Sequence, residues 1–314
     1  CDLKREGRFH GAHTPFEFKK MVSESNDLKE NEGIETQIID KSDQKNEINS
    51  DLYHGGVVFP QHASLNAAKY HKDLIEKAIG LGVSVISKCE MVDFKKKLDE
   101  FSVLTNKGPL TANNLVVATN GYTSNVTPWL NKRNIPIGSY VIATEELPIN
   151  YISSLFPTNR HITDTCRVVY YFRPSPDRKR IIFGGRVSSR EISLSKSAPL
   201  LLKDLKRVFP DLPELKISHS WMGYVSYTFD HLPHTGSEDG LYYSMGYCGS
   251  GIALSSYLGM KLGKKVIGDN DGTTAFDSLK FPTRPFYNGR PWFLPAVVEL
   301  YKFRDSREMT KYMN

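Results

Sequence analysis

Along this chain the apolar positions switch between the two-residue period of strands and the wider period of helices, and the switches mark out the elements. Paired Gly55 and Gly56 followed by Val57-Val58-Phe59-Pro60 predict a turn entering a short buried strand. Ser64 offers an N-cap to residues 65–79, apolar at Ala67, Ala68, Leu74, Ile75, Ala78 and Ile79 and closed by Gly80 and Gly82, which predicts a helix. Val83, Val85 and Met91-Val92-Asp93-Phe94 predict strands, residues 101–105 a hairpin partner, and Leu115-Val116-Val117-Ala118-Thr119 a wholly apolar strand that ends at Asn120-Gly121. Strand-like runs recur over 135–144, 167–172, 180–185 and 221–227, and turn signals such as Pro174-Ser175-Pro176-Asp177 between them predict an antiparallel sheet with aromatic faces. Helices are predicted at 15–23 and at 200–208, the latter between Pro199 and Pro210; no strand is predicted in the polar opening that carries Arg5, Arg8, His10 and His13. The last α/β feature runs Gly240-Leu241-Tyr242-Tyr243-Ser244-Met245-Gly246-Tyr247-Cys248-Gly249-Ser250-Gly251 into an apolar helix over 252–266. Beyond Gly268 a Pro- and aromatic-rich tail is expected to pack extended. The fold class is mixed α/β (α+β), without an internal repeat or low-complexity tract.

Composition narrows the function class more than the fold. The 314 residues carry 41 Lys plus Arg against 35 Asp plus Glu, and this +6 is spread along the chain, so the basic balance reads as a solvated surface rather than a nucleic-acid footprint. No uncharged apolar run reaches the roughly 18 residues of a membrane span, and the opening residues carry no apolar stretch like that of a signal peptide. Cys1, Cys89, Cys166 and Cys248 are far apart without CxxC spacing, which argues against a structural zinc site and fits a reducing compartment, the cytoplasm.

The sharpest local signal is the loop of Gly246, Gly249, Ser250 and Gly251 leading into Ile252. Glycines let a ligand approach the backbone, and the free N–H groups of the helix that follows suit a phosphate or a developing anion. Close helix–strand packing explains the same glycines equally well, and Gly249-Ser250-Gly251-Ile252-Ala253-Leu254 is not GxGxxG. Ala118-Thr119-Asn120-Gly121 sits where an α/β sheet meets a ligand at its carboxyl edge, or is a plain turn. His231 and His234 flank Pro233 with no accompanying acid or thiol constellation, so no metal is expected there. Cys248 is assigned a packing role.

In this order the segments 53–60, 116–123, 140–145, 168–176, 181–186 and 221–251 resemble the D-amino-acid-oxidase-like superfamily of FAD-dependent oxidoreductases, in its γ-glutamylputrescine oxidase and glycine/sarcosine oxidase-like branch. The resemblance covers residues 8 to about 305. It implies an incomplete FAD-binding Rossmann-like domain (53–133 and 226–270) interleaved with an antiparallel-sheet substrate domain (1–52 and 134–225), followed by a tail (271–314). It implies FAD as cofactor, with contacts from Val92, from Ala118, Thr119, Asn120 and Gly121, and from Gly246, Gly249, Ser250, Gly251 and Ile252. Tyr53, His54, Tyr140, Tyr171 and Trp221 are the candidates to line an amine pocket; the catalytic residue is not read from the sequence, and neither is the oligomeric state. The implied reaction oxidises a C–N bond of an amine or amino-acid derivative to an imine. A dehydrogenase passing electrons to a quinone, and a non-catalytic remnant serving as a binding module, are the rival readings. Two departures stand out. The family's opening GxGxxG unit is not found, so a fragment or a loss of the ADP half is expected, and Val225-Ser226 stands where glycine-oxidase-like members carry Arg-Pro for the substrate carboxylate.

Overall fold

A computed structural model describes residues 1–312. In chain order the strands are β1 (Arg8–Gly11), β2 (Gln37–Ile39), β3 (Gly56–Phe59), β4 (Met91–Lys97), β5 (Glu100–Thr105), β6 (Gly108–Ala112), β7 (Leu115–Val117), β8 (Ile135–Thr144), β9 (His161–Asp164), β10 (Tyr171–Pro174), β11 (Ile181–Gly185), β12 (Ile217–Tyr227), β13 (His234–Glu238) and β14 (Leu241–Met245). The helices are α1 (Pro15–Glu32), α2 (Ala67–Gly80), α3 (Pro128–Asn131), α4 (Ile149–Leu155), α5 (Leu194–Val208), α6 (Gly251–Val266) and α7 (Leu294–Tyr312). None of them is long and apolar enough to cross a membrane.

The chain divides into two compact units. The first comprises Cys1–Glu76, Ser139–Gly223 and Phe293–Asn314, and the second Lys77–Gly138 and Tyr224–Trp292. The first is built on an eight-stranded sheet in the order β12-β8-β11-β10-β9-β1-β3-β2, which from β8 to β2 is antiparallel except where β1 runs parallel to β9. Alternation sorts its side chains: Phe9, Val58, Tyr140, Ile142, Ile162, Phe172, Ile181 and Phe183 join one core with Ile152, Leu201, Leu205 and Val208 from α4 and α5. Arg8, His10, His161, Thr163, Tyr171 and Arg173 alternate with those residues and so face the other way. The second unit holds the three-stranded sheet β13-β14-β7, in which β14 and β7 are parallel, and the antiparallel meander β4-β5-β6. Phe101, Val103, Val117, Leu241, Tyr243, Met245 and Phe281 form its core.

Several expectations are corrected. The polar opening does contain a strand: β1 pairs with β3 on one side and β9 on the other, with Phe9 and Gly11 on the core side while Arg8 and His10 keep the opposite face. That pairing also carries residues 53–76, expected with the cofactor part, into the first unit. Val83 and Val85 form no strand and stay exposed, since no neighbouring segment among the described residues supplies a ladder partner. The tail is not extended throughout: residues 271–292 belong to the second unit, while α7 lays Leu294, Val298, Asp305 and Met309 against the first. Pro295, in the tail expected to be extended, sits at the second helical position, where a missing N–H costs nothing. Pro199 likewise lies within α5, which starts at Leu194 rather than at 200.

Candidate active site

In the second unit, β14 ends at Met245 and the chain turns sharply into α6. Gly246 (φ 79°), Cys248 (φ 48°) and Gly249 (φ 100°) all take the left-handed backbone region, which makes the turn tight enough for Gly251 to open the helix. Ser250 gives the helix no side-chain cap, so the first-turn N–H groups are left for another acceptor. Beside this loop the turn after β7 places Asn120 (φ 45°), whose Oδ1 accepts the N–H of Gly246 at 3.1 Å.

The two loops border a cavity of about 740 Å³. Its walls are Val116, Ala118 and Asn120 from the β7 side, Tyr224 and Val225 from β12, Ser244, Tyr247 and Gly249 from β14 and its loop, and Gly251, Ile252, Ser255, Gly259 and Gly263 along α6. The glycines have distinct jobs. A Cβ on Gly121 would lie 2.5 Å from the Tyr224 carbonyl oxygen, and one on Gly246 would lie 2.4 Å from Thr228 Cγ2, so these two are required by packing. A Cβ on Gly249 meets nothing nearer than Tyr227 Oη at 3.9 Å, and one on Gly251 nothing nearer than Tyr247 at 3.9 Å. Their missing side chains leave room at the cavity wall, beside the uncapped end of α6. An anionic or electron-rich planar group fits this combination of open backbone and half-positive helix terminus.

Of the cofactor contacts read from the sequence, Ala118, Asn120, Gly249, Gly251 and Ile252 meet at this one cavity. Thr119, Gly121, Gly246 and Ser250 stand next to them in the same two loops. Val92 does not join them as a wall residue; it is exposed on β4. Cys248 donates its thiol to the Gly246 carbonyl at 3.2 Å and burial pushes its pKa up, so it stays protonated and packs. His234 is held by both carboxylate oxygens of Asp230 at 3.1 Å and stacks on Phe281 at 4.0 Å, with burial lowering its pKa against the pull of Asp230. It is a turn-stapling residue.

The substrate candidates all lie in the first unit, and the structure does not gather them on one face. Tyr53 and Tyr140 are fully buried in the core under α4 and α5. Tyr140 donates to Glu191 at 2.6 Å; Tyr53 packs against Gly11, and its hydroxyl, near Asp164, forms no hydrogen bond of ordinary geometry among the described residues. Tyr171 faces the opposite side of the sheet, its hydroxyl bonded to Ser139 and its ring lying over Gly184. Trp221 is 44% exposed and His54 is half-buried beside Tyr312. The strand period separates them: Tyr140 shares the inward phase of Ile142, whereas Tyr171 has the outward phase of Arg173. Tyr224, Ser244 and Tyr247 were not singled out for the cavity, although Tyr247 stands between the glycines of the loop itself; Val225 was noted only as a departure at the substrate-carboxylate position.

A second cluster deserves separation from this site. His13, Asp305 and Glu308 present ligand atoms within 4.8 Å of one another in the first unit. Arg167 already occupies their centre of charge, donating to Asp305 at 2.9 Å and to Glu308 at 2.8 and 3.0 Å, while the Val168 N–H bonds the other Asp305 oxygen. The guanidinium does there what a cation would do, so this is an anchor for α7 rather than a metal centre.

Residues 1–264 match the family model described as FAD dependent oxidoreductase. The chain belongs to this family. Among curated relatives, it is 29% identical over 319 residues to a gamma-glutamylputrescine oxidoreductase of Escherichia coli, covering 97% of this chain and 72% of that protein. It is 28% identical to a probable oxidoreductase OrdL of Haemophilus influenzae over 86% of this chain, and spans 63% of that relative's length. The fold matches glycine oxidase from Geobacillus kaustophilus with a TM-score of 0.74 at 18% identity, over 90% of this chain and 76% of that one. It also matches L-proline dehydrogenase from P. horikoshii with a TM-score of 0.71 at 17% identity, over 94% and 78% respectively.

Proposed function

We propose that the protein to which this chain belongs is an FAD-dependent oxidoreductase that oxidises a C–N bond of an amine or amino-acid derivative to an imine. The observation that carries this reading is the cavity where Gly249 and Gly251 leave the uncapped start of α6 open beside Asn120. Residues of this cavity would hold part of FAD, whose chemistry, when bound, is acceptance of a hydride from the carbon next to nitrogen. The second unit would then be the cofactor part and the first unit's sheet the substrate part. The family membership and the gamma-glutamylputrescine oxidoreductase relative support the amine class.

What this chain's own groups contribute follows from their placement. The first-turn N–H groups of α6 favour negative charge at the cavity wall, an electrostatic contribution already organised before any reaction. The neutral Cys248 thiol and the apolar Val116, Val225 and Ile252 place no competing charge beside that terminus. Val225, in the place where an arginine would take a neighbouring carboxylate, lines the cavity as an apolar wall, and Ser226 is spent on Asn134 at 2.5 Å. Simple α-amino acids therefore suit the site less than amines whose acid group is distant. The four cysteines are all free, which supports a reducing, cytoplasmic setting.

The test is an absorption spectrum of the purified full-length protein before and after anaerobic addition of glycine or of a γ-glutamylated diamine. Bleaching of the flavin band by the diamine derivative and much slower bleaching by glycine is the expected result. A protein that carries no flavin would overturn the class; equal rates would overturn the substrate preference. Peroxide formation on readmitting oxygen tells an oxidase from a quinone-linked dehydrogenase.

A further inference from the structure

On the face of the first unit's sheet opposite its core, three neighbouring strands bring basic side chains level with one another. Arg8 of β1 pairs in register with His161 of β9, and Arg173 of β10 comes level with His161 one residue beyond the Phe172–Ile162 pair. The next outward positions continue the surface with His10, whose Nδ1 meets Thr163 Oγ1 at 2.9 Å. On the far side Phe59 pairs with Arg8 and stacks on His62, and the Arg8 guanidinium sits 4.7 Å above the Phe59 ring.

Among the described residues no carboxylate is bonded to these cations. Arg8 is half-buried, and the ring of Phe59 is its only partner among the described residues; its Nε–H is buried and unpaired. Buried His161 Nδ1 is unpaired as well. Arg173 spends one nitrogen on the Leu65 carbonyl at 2.9 Å. The acid that acts on the row is Asp2, felt by Arg173, and it is already paired with Lys69 at 2.9 Å. Burial lowers the pKa of both arginines, and burial together with Arg8 lowers His10 and His161 to about 4, so at neutral pH two guanidiniums stand with neutral imidazoles. A partly desolvated guanidinium without an acceptor is costly, and planar N–H forks flanked by neutral ring N–H donors match an oxyanion.

We propose that Arg8, His161 and Arg173 form a binding site for the oxyanion group, carboxylate or phosphate, of a small molecule. The site is defined wholly within the first unit and does not depend on the redox reading, since its occupancy is read without flavin or turnover. An anion there supplies a bonded counter-charge, so the imidazoles of His161 and His10 acquire protons more readily once it is bound.

The test follows the imidazole resonances of His161 and His10 in the 15N-histidine-labelled full chain during titration with glutarate and, separately, inorganic phosphate, with sodium chloride at matched ionic strength as reference. Saturable shifts of His161 with either oxyanion, absent with chloride, are expected, and the arm that saturates first identifies the group. Arg8→Gln should weaken that binding about tenfold, the loss of one charge-assisted hydrogen-bonded contact, while Arg8→Lys weakens it less. Should Arg8→Gln fail to fold, His161→Gln, with His10 as reporter, replaces it and should weaken binding several-fold. Shifts that track ionic strength alone, or equal affinity in the folded variants, would overturn the site.

Discussion

Asn120 Oδ1 accepts the backbone N–H of Gly246 at 3.1 Å, and that one bond ties the turn after β7 to the loop that starts α6. Both residues have positive φ, 45° and 79°, so each loop is held in a backbone state its neighbours would not choose. Asn tolerates the left-handed region better than most side chains, and here it also supplies the acceptor. Asn120→Asp keeps the acceptor and should retain flavin. Asn120→Val loses it and puts a branched Cβ at positive φ, for an expected loss of about 1–3 kcal/mol in stability and of most bound cofactor. Denaturant midpoints and the flavin-to-protein absorbance ratio of the full-length variants decide it; a yellow, equally stable Asn120→Val protein would refute the role.

The glycines make a second, sharper comparison. Gly251→Val adds atoms where the structure shows open space at the cavity wall, so the thermal midpoint should hardly move while flavin content falls. Gly246→Ala meets Thr228 Cγ2 at 2.4 Å and strains a φ of 79°, so it should destabilise first and lose flavin as a consequence. Identical behaviour of the two variants would mean that both serve packing.

The reach of sequence reasoning follows from what each signal encodes. Asn120 and Gly249 were legible because their chemistry is local: a turn at the end of an apolar strand, and a glycine where strand gives way to helix. The separation of Tyr140 from Tyr171 was not, because the face a strand residue takes depends on its register with a partner strand, here Gly185 for Tyr140 and Gly184 for Tyr171. The strand at Arg8–Gly11 was hidden for a related reason: only Phe9 and Gly11 need the core side, and an Arg and a His on the alternate positions look like surface. In α7 the proline-rich approach, Pro291 and Pro295, obscured a helix whose buried stripe, Leu294, Val298, Asp305 and Met309, includes an acid that makes sense only once Arg167 is beside it.

That pairing supports a third expectation. Asp305 is 4% exposed, and Arg167 is its only ion-pair partner among the described residues. Arg167→Met should cost about 3–5 kcal/mol, since it strands a buried carboxylate, whereas Arg167→Met combined with Asp305→Leu should recover much of that loss. Glu308, held below the usual carboxylate range chiefly by its bonds from Arg167, contributes stability that is present above its unfolded pKa and lost as pH falls through the lowered folded value. Limited proteolysis should release the α7 peptide faster in the single variant than in the double. Equal cleavage in parent and single variant would show that the apolar stripe alone holds the helix.

The last expectation concerns Asp164, which is buried at the end of β9 with no cation bonded to it among the described residues. Its Oδ1 takes the N–H groups of Cys166 and Tyr170 at 3.3 and 3.2 Å; its Oδ2 and the neighbouring Tyr53 hydroxyl, which act on each other, form no hydrogen bond of ordinary geometry among the described residues. Burial raises its pKa to about 7, overcoming the two N–H bonds that favour the charged form, with Asp305 adding to the rise. Between about pH 4, where the unfolded carboxyl releases its proton, and about pH 7, the folded chain therefore holds a proton that the unfolded chain has lost. Its contribution to stability must fall as pH rises through that window and level off above it, opposite in sign to the contribution of Glu308. Asp164→Asn, which keeps the Oδ1 acceptor and offers its amide to Tyr53, should remove this slope, so that the variant gains on the parent by a few kcal/mol between pH 5 and pH 8. Urea midpoints at the two pH values measure it directly, and parallel midpoints for parent and variant would show that the carboxyl ionises as an ordinary aspartate.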